Sequence, residues 1–217
     1  KNRPLSFFKN IIDYYIKKGY AGIIFSGGEP TLYPQLPSLI SYVSAKGLHC
    51  RIITNGQKIA DPDYLLELTG SGLKHICLSI YSDDPVIQAL LTENKDSLPN
   101  IKKALLNLKK GGITVDIVTV INKYNSNHLS RLVRWITRHF PFVNHFVWNN
   151  LDSLMNRASS HPDTIPTLSD FELELHMAMI HLQSLGKTFR VERVPLCYMA
   201  PFAHCSTETR KIVKDEE

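Results

Sequence analysis

The stretch Phe25-Ser26-Gly27-Gly28-Glu29-Pro30, with Thr31 behind it, decides how this chain is read. It closes a short apolar run, Ala21 to Phe25, that ends in turn residues and reads as a buried strand. Two glycines let the main chain turn sharply and let a ligand touch backbone groups, and Pro30 fixes the direction in which the chain leaves. Free carbonyls plus the Glu29 carboxylate suit an ammonium group. A phosphate loop would run its glycines straight into a helix N-terminus with Lys or Ser/Thr, and an acidic residue opposes that. By itself, the string is equally a plain turn.

Moving outward, Phe7, Phe8, Ile11, Ile12 and Tyr15 recur at helical spacing before Gly19, so a helix precedes the first strand. Leu36, Leu39, Ile40 and Val43 predict the next helix, and Leu48 to Thr54 a strand closed by Asn55-Gly56. Asp61-Pro62 supplies a cap and a first-turn proline for a helix stopped by Gly70 and Gly72. Lys74 to Tyr81 is a strand, followed by a polar, Pro-interrupted stretch and a helix through Ile101, Ala104, Leu105 and Leu108. Ile113 to Ile121 is the most strand-like run. Leu129 to Ile136 reads as a helix, Asn144 to Trp148 as a strand, Leu168 to Leu182 as a helix with a Ser169–Glu172 capping box, and Thr188 to Val191 as a last strand.

Six β segments alternate with helices, which implies a parallel sheet with right-handed crossovers. The leading helix has no strand before it, so the pattern predicts a missing first strand upstream. A doubly wound open sheet and a partial (β/α) barrel both fit, and both place chemistry at the C-terminal ends of the strands. Asn149 to Pro166 is too long for a plain connection and is expected to be functional or mobile.

Composition excludes several classes. The 217 residues are 43% hydrophobic and 21% charged, ordinary for a globular chain. The formal charge of +5 is spread over many segments, among them Lys102-Lys103, Lys109-Lys110 and Arg131 to Arg138, which favours solvated helix faces over a nucleic-acid surface. No apolar run approaches the roughly 20 residues of a membrane span. Four cysteines, Cys50, Cys77, Cys197 and Cys205, make no disulfide framework in a chain this long, so a reducing cytoplasm is the expected setting.

The residues after each predicted strand are the site candidates. Ser26 to Pro30 follow the first, Thr54 and Asn55 the second, and Ser79 sits between large apolar neighbours in the third. Asn122 and Asn125 follow the fourth, and Asn149, Asn150 and Asp152 follow the fifth. Tyr33, Tyr81, Trp148 and Tyr198 either line a pocket or pack.

Phe25 to Pro30 resembles the segment of radical S-adenosylmethionine enzymes that holds the methionine amino group of the cofactor. Ile52-Ile53-Thr54-Asn55-Gly56, Leu78-Ser79-Ile80-Tyr81 and Val120-Ile121-Asn122-Lys123-Tyr124-Asn125 are similar to that family's next strand ends. The resemblance covers about residues 5 to 150. It implies an α/β, TIM-like partial (β/α)6 barrel over 1–192, lacking its first strand and cluster loop, with the start of a C-terminal extension at 193–217. It further implies cofactor contacts from Ser26, Gly27, Gly28, Glu29, Pro30, Thr54 and Asn55, and from Ser79 and Asn122 to the ribose and carboxylate.

The family's 4Fe-4S cluster is held by three cysteines after the first strand, spaced three then two apart, and the sequence contains no such triplet. Cys50, at a strand start, and Cys77, amid apolar neighbours, read as buried thiols. The cluster ligands are therefore expected upstream of Lys1, and the chain as a piece cut at both ends. Leu154 to Ala158 and the segment around Cys197 resemble members with a SPASM- or twitch-like extension, which makes Cys197 a candidate ligand of an auxiliary 4Fe-4S cluster. The activity so implied is reductive cleavage of S-adenosylmethionine to a 5'-deoxyadenosyl radical that takes a hydrogen atom from a substrate. The resemblance leans toward a peptide substrate and implies an electron donor such as flavodoxin or ferredoxin. A metal-free (β/α) enzyme and a non-catalytic barrel that binds ligands are the other readings.

Overall fold

The computed structural model describes residues 3–151 and 160–208. Its six strands are β1 (Gly22–Phe25), β2 (His49–Thr54), β3 (His75–Ser79), β4 (Thr114–Ile121), β5 (His145–Asn150) and β6 (Thr188–Glu192). They follow one another in chain order across the sheet, and the registers of β1 with β2, β2 with β3, β4 with β5 and β5 with β6 are parallel. The helices are α1 (Leu5–Lys17), α2 (Leu36–Ala45), α3 (Pro62–Gly70), α4 (Pro85–Thr92), α5 (Ser97–Lys110), α6 (Leu129–His139) and α7 (Leu168–Ser184). A parallel strand cannot return through a tight hairpin, so each crossover carries a helix. Strand order following chain order is the sheet of a partial TIM-like barrel, which settles the choice against a doubly wound sheet.

The chain divides into two compact units: residues up to 79 with 99–115, and 80–98 with 116 onward. In the first, Leu36, Leu39, Ile40 and Val43 of α2 are buried, each worth about 1.5–3 kcal/mol of transfer free energy. β1 lies at the end of the strand order, and its Ile24 is 54% exposed. Asp61 caps α3 by accepting from the Asp63 N–H at 3.0 Å, with Pro62 at the first helical position.

In the second unit one face of the sheet is packed throughout and the other only in part. Ile117, Thr119 and Ile121 of β4, Phe146 and Trp148 of β5, and Phe189 and Val191 of β6 are buried. Among their alternates Asp116 and Val147 are buried as well, whereas Val118, Val120, Asn149, Arg190 and Glu192 are half-exposed. Trp148 therefore belongs to the core, with its ring 6.1 Å from that of Phe189. Residues after β6 fold back onto this unit: Phe202 stacks edge-on against Phe189 at 5.5 Å, and Ser206 bridges to Val191.

Two local expectations need correction. The polar stretch after β3 contains a helix, α4, capped by Asp84, whose carboxylate accepts from the N–H groups of Val86 (2.8 Å) and Ile87 (3.3 Å). The cap of α7 lies two residues before the predicted Ser169–Glu172 box: the Thr167 N–H donates to Asp170 Oδ2 at 2.7 Å. Leu154 to Ala158 and Asp152 fall outside the described residues.

Candidate functional site

Glu29 organises the first unit's strand ends. Its Oε1 accepts from the Thr31 N–H (3.1 Å), the Thr31 hydroxyl (2.7 Å) and the Thr54 hydroxyl (2.7 Å), and its Oε2 accepts from the Asn55 N–H at 2.7 Å. Charge-assisted bonds of this length are the strong kind. The Thr54 hydroxyl also accepts from the Gly56 N–H at 3.1 Å, so its proton and a lone pair are both engaged. The Asn55 side chain accepts from the Gln57 N–H at 3.0 Å. The Thr31 carbonyl takes the Lys58 ammonium and the Tyr64 hydroxyl, each at 3.1 Å. Burial pushes the Tyr64 hydroxyl up to about 12, and the Glu67 and Glu29 carboxylates add to it. Glu29 is thus a clamp between the loops after β1 and β2.

The same clamp leaves Ser26, Gly27 and Gly28 exposed. Gly27 has φ +131°, and a Cβ placed on Gly27 or Gly28 would meet nothing within 4 Å, so this backbone is open to close approach by a ligand. Pro30 opens the short turn Pro30–Leu32, and Ser79 ends β3, half-buried.

In the second unit the loops after Ser79 and β4 are tied together. Asn125 donates through Nδ2 to the carbonyls of Tyr81 (3.1 Å) and Val120 (2.9 Å), and accepts from the Asn122 N–H at 2.9 Å. Asn122, 7% exposed, accepts from the Tyr124 N–H at 2.9 Å. Gln88, fully buried, accepts from the N–H groups of Tyr81 and Ser82, each at 3.0 Å. Ser82 Oγ lies 2.9 Å from His128 Nε2 and accepts from the Asp84 N–H. Asn127 Oδ1 can only accept, so Nδ1, 2.9 Å away, carries the imidazole proton, and Nε2 of the neutral ring accepts from the Ser82 hydroxyl. Ser82 has no exposed surface, so this pair is structural rather than a nucleophile and its base.

Above these loops is a cavity of about 940 Å³, lined by Tyr81, Glu93, Asn122, Tyr124, His161 and Asp163 together with apolar residues of α4 and β4. The Lys123 N–H donates to the Thr164 carbonyl at 2.9 Å, which holds the described end of the long 149–166 connection against the cavity. Of the strand-end candidates, Asn122 and Tyr81 line it. Glu93, His161 and Asp163 were not legible as site residues, because they sit on a helix end and in a turn that carry no motif. Tyr124 belongs to the motif at the fourth strand end, where only the two asparagines read as polar strand-end groups.

Cys50 and Cys77 are buried, and burial pushes the Cys50 thiol up to about 12. Cys197 is exposed in the turn Leu196–Tyr198, and Cys205 is half-buried with its thiol also raised by burial.

A family model described as "Radical SAM superfamily" matches residues 1–136. PqqA peptide cyclase of Xanthomonas oryzae pv. oryzae (strain MAFF 311018) is 26% identical over 126 residues, 58% of this chain and 34% of its own. The 7,8-dihydro-6-hydroxymethylpterin dimethyltransferase of Methanocaldococcus jannaschii is 33% identical over 126 residues, 56% of this chain and 24% of its own. The chain thus spans between a quarter and a third of these relatives' lengths. Among solved structures, Streptococcus suis SuiB bound to precursor peptide SuiA superposes with a TM-score of 0.71 at 18% identity, over 88% of this chain and 42% of that one. AnSMEcpe with bound AdoMet and a Kp18Cys peptide gives 0.68 at 17% identity, over 86% and 55%. At these identities the superpositions speak for the fold.

Proposed function

This chain belongs to the radical S-adenosylmethionine superfamily, and we propose that the protein it comes from is an enzyme that binds S-adenosylmethionine at a 4Fe-4S cluster and abstracts a hydrogen atom from a peptide. The observation that carries this reading is the Glu29 clamp, which presents the Gly27–Gly28 backbone, open and turned outward, at the C-terminal end of β1. Bound at a reduced cluster, S-adenosylmethionine supplies a 5'-deoxyadenosyl radical by one-electron cleavage of its sulfonium.

The residues present fit the organic cofactor. The Gly27 and Gly28 carbonyls would take its ammonium group, and among the described residues nothing lies within 4 Å of where a Cβ on either glycine would stand. Glu29 acts through the loop: its four hydrogen bonds are made to protein, so it positions the backbone and moves no proton. Thr54 and Asn55 complete the clamp, and Ser79 and Asn122 contribute polar groups at the ends of their own strands. The cysteines of the strands do not fit the reducing cluster, since Cys50 is buried at the N-terminal end of β2 and Cys77 in the middle of β3, away from the C-terminal strand ends. Its three thiolates belong to a segment upstream, and the exposed β1 edge with Ile24 is where a further strand adds. Exposed Cys197 is the candidate ligand of an auxiliary 4Fe-4S cluster in a C-terminal extension that begins near residue 193. A flavodoxin or ferredoxin is the proposed electron donor, and the cytoplasm the proposed setting. No helix among the described residues is long and apolar enough to cross a membrane.

The peptide substrate is favoured by relatives whose names or bound molecules are peptides, the PqqA peptide cyclase and the SuiA-bound SuiB. The test is anaerobic reconstitution of the full-length natural protein with iron and sulfide, followed by reduction. S-adenosylmethionine cleavage to 5'-deoxyadenosine and methionine is expected. A reconstituted protein that neither binds nor cleaves it overturns the reading.

A further inference from the structure

We infer that Lys58 and Tyr64 are positioning residues for the cofactor loop: together they hold the Thr31 carbonyl, and through it set the Gly27–Gly28 backbone for the amino-acid end of S-adenosylmethionine. The inference deepens the cofactor reading and rests on it.

The turn Pro30–Leu32 has one carbonyl that is met by side chains. The Glu29 carbonyl accepts from the Leu32 N–H at 3.1 Å, and the Pro30 carbonyl from the Tyr33 N–H at 2.9 Å, so both are used by the turn itself. The Thr31 carbonyl takes Lys58 Nζ and the Tyr64 hydroxyl, each at 3.1 Å. A carbonyl oxygen has two lone pairs, one for each donor. Thr31 is 1% exposed, so loss of both donors strands an acceptor on a residue almost without surface.

All three polar groups of Thr31 are thus tied down. Its N–H and hydroxyl go to Glu29 Oε1, at 3.1 and 2.7 Å, and its carbonyl goes to the segment that follows β2. Lys58 stands in the short turn Lys58–Ala60 and Tyr64 in α3. The second βα unit therefore grips the loop twice, at Glu29 through Thr54 and Asn55, and at Thr31 through Lys58 and Tyr64.

The two donors also hold each other. Lys58 Nζ lies 4.8 Å from the centroid of the Tyr64 ring, within the range of a cation–π contact. Burial, then the Glu67 and Glu29 carboxylates, pushes the Tyr64 hydroxyl up to about 12, so at neutral pH it keeps its proton and donates.

The expected consequence is selective. The open backbone at Gly27 and Gly28 suits the ammonium of the cofactor, so slackening the loop at Thr31 weakens a ligand that carries that group and spares one that lacks it. A merely structural role weakens both alike.

The experiment uses the full-length natural protein with its cluster reconstituted, and equilibrium dialysis of two ligands. One is S-adenosylmethionine; the other is 5'-methylthioadenosine, which keeps the adenosine and the sulfur but has no amino or carboxylate group. Lys58→Met and Tyr64→Phe should each weaken S-adenosylmethionine by about threefold, and the combined variant by about tenfold. Binding of 5'-methylthioadenosine should stay within about twofold in all three. Lys46→Met is the matched control, since Lys46 also lies over a tyrosine ring, Tyr42 at 5.3 Å, and pairs with Asp13 at 3.8 Å. It should change neither ligand. Melting curves show which variants are folded at the temperature of the dialysis, and the single variants carry the test if the combined one is not. Equal weakening of both ligands overturns the inference. So does a natural preference for S-adenosylmethionine that Lys58→Met and Tyr64→Phe leave intact, which sinks the positioning role and spares the cofactor reading. A natural protein that binds S-adenosylmethionine no better than 5'-methylthioadenosine overturns the cofactor reading, and the positioning role with it.

Discussion

Glu29 Oε2 accepts a hydrogen bond from the Asn55 N–H at 2.7 Å, across 26 residues of sequence. One carboxylate thereby fixes two strand ends, and its partners are all donors. Glu29→Gln keeps the size but replaces one acceptor oxygen with an NH2 group that opposes the Asn55 N–H or one of the other donors. The unmet donor is expected to cost about 1–3 kcal/mol, and Glu29→Ala somewhat more. In a chain of this size each kcal/mol lowers the melting temperature by roughly 2–4 °C. In the full-length protein, both variants should also weaken S-adenosylmethionine binding, because the Gly27–Gly28 backbone loses its support. A calorimetric titration in which Glu29→Ala melts early yet binds the cofactor at full strength would remove the loop from the cofactor site.

The turn after β2 sets a sharper test of packing. Gly56 has φ +76°, and a Cβ there would stand 2.4 Å from Leu78 Cδ1 and 3.8 Å from Ala104 Cβ, with Leu78 fully buried. Gly56→Ala meets left-handed backbone strain of about 1–2 kcal/mol and an overpacking cost of about 1–3 kcal/mol. Gly47 has a similar φ of +71° with nothing within 4 Å, so Gly47→Ala meets only the first cost. Urea denaturation of the two variants should therefore separate them, with Gly56→Ala the less stable by about the overpacking term. Equal losses would mean that the turn relaxes away from Leu78.

The order of strands was legible because glycine or asparagine marks the ends of β1, β2, β4 and β5, and because Gly72 and Gly112, both at positive φ, stop the helices before β3 and β4. The barrel itself was legible only through the resemblance, since periodicity treats a barrel and an open sheet alike. Helix α4 was missed because Pro85 read as a break, when it follows the Asp84 cap and begins a helix. The capping box of α7 was misplaced because Thr167-Asp170 and Ser169-Glu172 offer the same spacing, and only the backbone geometry decides between them. Glu29 was visible as a site residue, but its role was not, since Thr54 and Asn55 come from a separate βα unit. Glu93 and Asp163 gave no signal at all, because they come to line one cavity only in the fold.

His128 gives the fold a pH dependence. Burial first, then the nearby Arg131, holds its imidazole below the ordinary value of 6.5, while Asp83, Asp84 and Glu174 act weakly in the other direction. His181 is lowered as well, by burial and then Arg134. A histidine depressed in the folded state binds protons more readily when unfolded. Its stabilisation is therefore complete above pH 6.5 and falls as pH drops from there toward the folded value. Each such histidine can steepen the slope by at most about 1.4 kcal/mol per pH unit. Protonation at Nε2 would also turn Ser82 Oγ from donor to acceptor there, so that the buried hydroxyl's proton loses its present partner. Unfolding free energies should decline below pH 6.5, and His128→Gln should flatten that decline. A slope unchanged by the substitution would assign the effect to other groups.

Gln88 is one polar residue in the apolar run Pro85 to Leu91, and its buried amide is what holds Tyr81 at the cavity. Its Oε1 accepts from the Tyr81 and Ser82 N–H groups, and its Nε2 donates to Ser97 Oγ at 3.0 Å. Gln88→Leu leaves two backbone donors without an acceptor, at about 1–3 kcal/mol each. Gln88→Glu keeps two acceptor oxygens for those donors, and the Ser97 hydroxyl can turn to donate to one of them. Burying the new charge costs free energy, but three donors face it. Urea unfolding at neutral pH should rank the natural residue first, Gln88→Glu second and Gln88→Leu last. The rank of the two variants should narrow at low pH, where the glutamate is protonated and its hydroxyl competes with a backbone N–H for position. If Gln88→Leu proved as stable as Gln88→Glu at neutral pH, the loop would have found other acceptors, and Tyr81 would not depend on Gln88 for its place.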